Sequence, residues 1–182
     1  MFIMKIRTLF LTLFCAISIS VSGQVDSFQE NIIDYLNNNG TKAQYSDAYD
    51  QMFDVLKNQF STADVPASVW AELKNNKAES IEEIVNFLTF AYRKHFTEAE
   101  IKKMATFYKS EAAQRMVSRS PETTQEDNDK VTAFFDSELG RKIEGKRAEL
   151  SVDISEISGH WSRELFAAKM GDLIKQGYSP QQ

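Results

Sequence analysis

The stretch TEAEIKKMATFYKSEAAQRM, residues 97–116, decides how the rest of the chain is read. Thr97 followed by Glu100 has the spacing of a capping box, in which each side chain satisfies the other's free backbone amide at the start of a helix. Phe96 just before it and Ile101 inside it are placed for a hydrophobic staple. The same plan returns immediately. TEAEIKKMATFYKSEAAQRMVSRSPET at 97–123 is followed by TQEDNDKVTAFFDSELGRKIEGKRAEL at 124–150. Thr97 aligns with Thr124, Glu100 with Asp127, Met104 with Val131, Phe107 with Phe134, and Tyr108 with Phe135. Ser110 then aligns with Ser137, Glu111 with Glu138, and Met116 with Ile143. Matched caps followed by matched apolar positions describe two helical arms of a degenerate 27-residue repeat.

Working outward, the punctuation is sparse. Pro66, Pro121 and Pro180 are the only prolines, and no tract sustains a period of two. Helices tolerate such long uninterrupted tracts. SFQENIIDYLNNNG at 27–40 begins with Ser27 as an N-cap and ends on Gly40, which suits a left-handed helix stop. Tyr45, Tyr49, Met52, Leu56 and Phe60 then form an apolar stripe at steps of three and four. Asp64 is placed to cap the next helix, with Pro66 in its first turn. Trp70, Leu73, Ile81, Ile84, Leu88 and Tyr92 continue the rhythm, with either a break or one long helix across Asn75–Lys77. A final tract from Val152 to Lys175 carries Ile157, Trp161, Leu165 and Met170 near one face, and Gly159 loosens it. The expected fold is an all-α compact bundle of about five to seven helices.

The amino end reads as a secretory signal peptide. Lys5 and Arg7 precede the mostly apolar Thr8–Ser20, and Val21, Ser22 and Gly23 offer small residues before a cut at Gly23–Gln24. The apolar run is shorter than the roughly 20 residues of a bilayer span. Residues 24–182 are then expected to form one exported domain in the periplasm or outside the cell, with no integral membrane segment after cleavage. Cys15, the only cysteine, goes with the leader, which leaves no disulfide, thiolate metal site or cysteine nucleophile. The leader also takes two positive charges, so the formal charge moves from −5 to −7. An acidic surface gains nothing from the counterion release that drives nucleic-acid binding.

The phrase AYRKHFTEAEIKKMATFYKSEAAQRM resembles the bacterial family known as domain of unknown function 2059 (DUF2059). Tyr92, Lys94, His95 and Phe96 match the family's entry, Glu98 and Glu100 its acidic turn, Phe107 and Tyr108 its aromatic pair, and Ser110 its serine. Glu111 stands where the family has proline and Ala113 where it has glycine, while the second arm keeps the glycine form at Gly140. The resemblance implies an exported all-helical fold and no enzyme class, cofactor or binding residue.

Reactive constellations are thin. Ser110 and Ser137 lack a GxSxG context, and a duplicated nucleophile is a poor design, so helix recapping or close helix contact explains them more simply. His95 and His160 have no metal-ligand spacing. TQEDNDK lacks the glycine and terminal glutamate of a calcium loop. RKIEGKR, with Arg141, Lys142, Lys146 and Arg147, is diluted by Glu144 and reads as a solvent face. No catalytic, metal or cofactor residue is assigned. The candidate packing or interaction residues are Phe107, Tyr108, Phe134 and Phe135. Phe107 and Phe134 are expected as core anchors and the other two as bridges, since neighbouring helical positions point about 100° apart. The leading expectation is a non-catalytic interaction or structural domain of the cell envelope with an envelope protein as partner. Its rivals are a groove for a lipid or other small hydrophobic ligand and, last, a metal-dependent or serine hydrolase.

Overall fold

The computed structural model describes residues 26–181; the signal-peptide reading of residues 1–23 falls outside them. Eight helices follow one another, and the described residues contain no strand: α1 Ser27–Asn38, α2 Thr41–Gln59, α3 Ala67–Leu73, α4 Lys77–His95, α5 Glu98–Tyr108, α6 Glu111–Ser118, α7 Gln125–Phe135 and α8 Glu138–Lys175. The chain is therefore all-α, as its periodicity requires. No helix among the described residues is long and apolar enough to cross a membrane.

Both capping boxes form. Thr97 accepts from the Glu100 amide while Glu100 returns the bond, and Thr124 and Asp127 do the same for α7. Each aromatic pair is followed by a second, serine-capped start: Ser110 Oγ accepts from the Ala113 amide and Ser137 Oγ from the Gly140 amide. These serine caps divide each arm in two, giving a finer division than five to seven helices. The two segments then differ in length. α6 ends after 8 residues, where Arg119 takes a left-handed conformation at φ 52°, whereas α8 continues for 38.

Several local expectations are corrected. Asp26, not Ser27, caps α1, because its carboxylate one residue earlier takes the Gln29 amide at 2.8 Å and frees Ser27 to reach Glu98. Asp64 does not cap α3; it sits at φ 47°, and Pro66 occupies the N-cap without a side-chain bond. Of the two alternatives across Asn75–Lys77, the break is the one that forms, so α3 and α4 are separate. No helix starts afresh at Val152, and Gly159 does not interrupt α8, since the backbone hydrogen-bond ladder runs through both. Gly40 does take the left-handed conformation, at φ 89°.

One hydrophobic core joins these elements. Ile32, Leu36, Tyr49, Phe53, Leu56, Ile84, Leu88, Ile101, Met104 and Leu173 are fully buried. Within the α2 stripe the deepest positions are Tyr49, Phe53, Leu56 and Phe60, while Tyr45 and Met52 lie partly exposed at its edge. α1 packs along α5 and α4, and α4 along α8. Ser27 meets Glu98 at the start of both helices and Asp34 meets Lys109 at their ends, so α1 and α5 run parallel. α4 and α8 run antiparallel, pinned by His95–Asp153 at one end and Asn76–Lys169 at the other.

Two glycines give opposite expectations. A Cβ on Gly140 would lie 2.3 Å from the Phe135 carbonyl oxygen and 2.5 Å from that of Phe134, both backbone atoms. Gly140→Ala should lower stability by roughly 1–3 kcal/mol in denaturant unfolding. Gly145 is an exposed helical position with nothing within 4 Å of its Cβ direction, so Gly145→Ala should add about 1 kcal/mol. Equal effects of the two substitutions would contradict this packing.

Candidate functional site

The two aromatic pairs meet. Phe107 closes α5 and Phe134 closes α7, and their rings stack with centroids 3.7 Å apart and planes 2° from parallel. A face-to-face stack is the less favourable arrangement of two quadrupoles. Edge contacts surround it: Phe107 meets Tyr108 at 5.1 Å and Phe135 at 5.9 Å, while Phe134 meets Phe135 at 5.3 Å and Tyr108 at 6.5 Å. Tyr108 passes the chain of rings inward to Tyr35 at 5.3 Å, and Tyr35 passes it to Tyr92 at 5.3 Å. A continuous aromatic line thus runs from the surface into the core.

Phe107 and Phe134 are not the core anchors expected. Phe107, Tyr108 and Phe134 are half-buried, and Phe135 is 39% exposed. α7 buries only Asp127 and leaves most of its surface to solvent, so the stack forms a rim rather than a centre. Beside it lies an open groove of about 520 Å³ lined by Phe107, Phe134 and Leu139, with Lys102, Lys103 and Glu138 at its edges. Burial pushes the Tyr108 and Tyr35 hydroxyls above their ordinary range and that of Tyr92 up to about 12. These phenols stay neutral and contribute apolar faces rather than acid–base chemistry.

The remaining candidates are held in polar contacts. Ser110 and Ser137 spend their hydroxyl oxygens as helix caps, and Ser137 also donates to the Phe134 carbonyl at 2.6 Å. His95 is buried, with Nε2 2.6 Å from Asp153 and Nδ1 3.7 Å from Glu149. Both ring nitrogens face carboxylates, and neither faces Ser110 or Ser137. His160 is exposed on α8 beside Glu164 and makes no contact with His95. Among the described residues no group of three or more His, Cys, Asp and Glu side chains is placed to hold a metal ion. In TQEDNDK, Asp127 turns inward to Arg115, whose Nη1 lies 2.9 Å from both carboxylate oxygens. The basic run is divided among partners: Lys142 reaches Glu100 at 2.7 Å, Lys146 reaches Glu149 at 2.9 Å, and Arg147 pairs with Glu144. Those cations do not converge on one point.

Two polar features went unread in the sequence. Trp161 is buried with its indole N–H unpartnered, and Lys169 is buried against Asn76. Trp161, Leu165, Lys169 and Leu173 are spaced by four, so a lysine standing on an apolar stripe was the available signal.

Residues 82–133 match the model of a family described as an uncharacterized protein conserved in bacteria (DUF2059). The match runs from α4 to near the end of α7 and includes Phe107 and Tyr108. No curated protein and no solved structure matches the chain.

Half-burial lowers the expected cost of truncating the stack. Phe107→Ala and Phe134→Ala should each fall below the roughly 3–5 kcal/mol typical of a fully buried phenylalanine. A double-mutant cycle should return a coupling of about 0.5–1.5 kcal/mol, and additive losses would dissolve the stack as an energetic unit.

The acid limb tests the α4–α8 pin. The Lys94 hydrogen bond, and then that of His95, hold the Asp153 carboxyl below its ordinary range. Its contribution is complete above the pKa of an unfolded aspartate, about 3.9, and is lost as pH falls through the lower folded value. Asp153→Asn should therefore destabilise the protein at neutral pH and converge with wild type in strong acid. Parallel stability curves at every pH would contradict the pin.

Proposed function

We propose that this chain is an exported, non-catalytic interaction domain of the cell envelope that presents the aromatic junction to another protein. The observation that carries the reading is the exposed Phe135 ring, continuous with the half-buried Phe107–Phe134 stack and its groove. An apolar platform already ordered by internal stacking loses little entropy on binding. Lys102, paired with Glu98, and Lys103 stand opposite Glu138 on the groove edge, which favours a partner segment with an apolar side chain flanked by polar ones. Export to the periplasm or beyond rests on the leader pattern at residues 1–23. Serine caps and a carboxylate-clamped histidine support a role without bond-making chemistry. The groove's open form favours a protein segment over an enclosed hydrophobic ligand.

Photo-crosslinking tests this directly. A benzophenone side chain at position 135 should capture a discrete envelope protein, and the same probe at exposed Val55 on α2 should not. Identical capture from both positions, or stoichiometric lipid with no protein adduct, would overturn the reading.

A further inference from the structure

The most anomalous charge in the molecule lies away from the aromatic junction. Lys169 is 7% exposed, and its Nζ donates to the Asn76 Oδ1 at 2.7 Å. That oxygen also accepts from the Tyr49 hydroxyl at 3.3 Å. No ion pair forms at Lys169 among the described residues. The nearby acids are engaged elsewhere: Asp172 faces Lys175 at 3.6 Å, and Asp50 holds Lys74 and Lys77 at 3.2 and 2.7 Å. Glu72 lines the same cleft from α3. Lysines are almost never buried without a counter-charge, because an ammonium that loses water and gains no carboxylate is costly. Any of Leu, Met or Ile would continue the stripe of Trp161, Leu165 and Leu173 without that cost.

Lys169 lines a cleft of about 400 Å³ between the α3–α4 turn and the end of α8. We propose that this cleft binds a small monocarboxylate, whose oxygens accept from the Lys169 ammonium and the Asn76 amide. Size and charge define the class. The volume is at the small end of ligand sites. At the rim Lys175 offsets Asp172 and leaves Glu72 uncompensated among the described residues, so a doubly charged phosphate is repelled more than a single carboxylate. The bound carboxylate supplies the counter-charge that the fold omits, and this site is independent of any protein partner at the aromatic junction.

Burial lowers the Lys169 pKa, with Asp172 opposing in part. The folded state therefore disfavours the ammonium. The penalty is fully present below the folded-state pKa and is relieved as pH rises toward the value of an unfolded lysine. At neutral pH, removing the charge should stabilise the empty protein, and adding the counter-ion should stabilise only the protein that has the charge.

The test is thermal unfolding of the protein in sodium acetate, sodium phosphate and sodium chloride at matched ionic strength. Acetate should raise the wild-type midpoint saturably, by roughly 2–4 °C for each kcal/mol of linkage in a domain of this size. Lys169→Met and Lys169→Gln should both melt higher than wild type in chloride and show no acetate response. An equal acetate shift in the variants would mean a general salt effect only and would overturn the site. So would an equal shift by phosphate, or two variants that unfold or melt lower than wild type.

Discussion

The aromatic junction depends on how α7 is held, because this helix has almost nothing apolar to bury. Its only fully buried residue is Asp127. α6 buries only Ala112 and Ala113. An 8-residue and an 11-residue helix are both too short to persist alone in water, so tertiary contacts must supply their stability. Three contacts do so. The Phe134 ring lies flat on Phe107, the Arg115 guanidinium grips Asp127, and the Ser137 cap fixes the turn into α8. Asp127 serves twice, since the carboxylate that closes the α7 capping box also receives Arg115. The Thr124 bonds, ahead of the Arg115 charge, hold that carboxyl below its ordinary range, which keeps the box in its charged form.

α1, α2, α4 and α5 share the deep core, and α8 covers it through Trp161 and Leu173. α6 and α7 are an outwork joined to each other by the Arg115–Asp127 ion pair and to the core helices by the stacked rings and by Gln114, whose side chain donates to the Asn38 carbonyl at 2.9 Å. Tyr108, Tyr35 and Tyr92 carry the line of rings from that outwork into the core. The aromatic pairs are therefore a joint rather than a centre, and a joint leaves surface uncovered. Phe135 is what remains outside. The molecule keeps its costly polar placements on another face, where α8 crosses α4: the His95–Asp153 pin near one end and the Lys169–Asn76 contact at the other.

Much of this was legible in the chain because local chemistry determined it. Thr97 with Glu100, and Thr124 with Asp127, are caps whose partners lie three residues away. Gly40 adopts the left-handed conformation that ends α1. The three-and-four spacing of α2 and α4 fixed helix type without reference to any neighbour, although Phe53, off the stripe at Met52, proved deeper than Met52 itself. What stayed hidden depends on distance in sequence. Whether Phe107 is a centre or a rim turns on what lies outside α7, and that is solvent. The continuity of α8 through Gly159 and Ser151 was masked by residues that weaken a helix only when nothing else supports it. Asp26 took the cap one residue earlier, and Ser27, left free by it, reached Glu98, 71 residues away. Lys169 was visible as a break in a stripe, but its missing counter-charge is a tertiary fact.

Amide hydrogen exchange measured helix by helix is the most direct test of the joint. If the stacked rings bind the outwork to the core, the amides of α7 should be protected to nearly the same free energy as those of α5. Protected amides in α5 beside freely exchanging ones in α7 would mean that the rings touch without holding, and the account would fail.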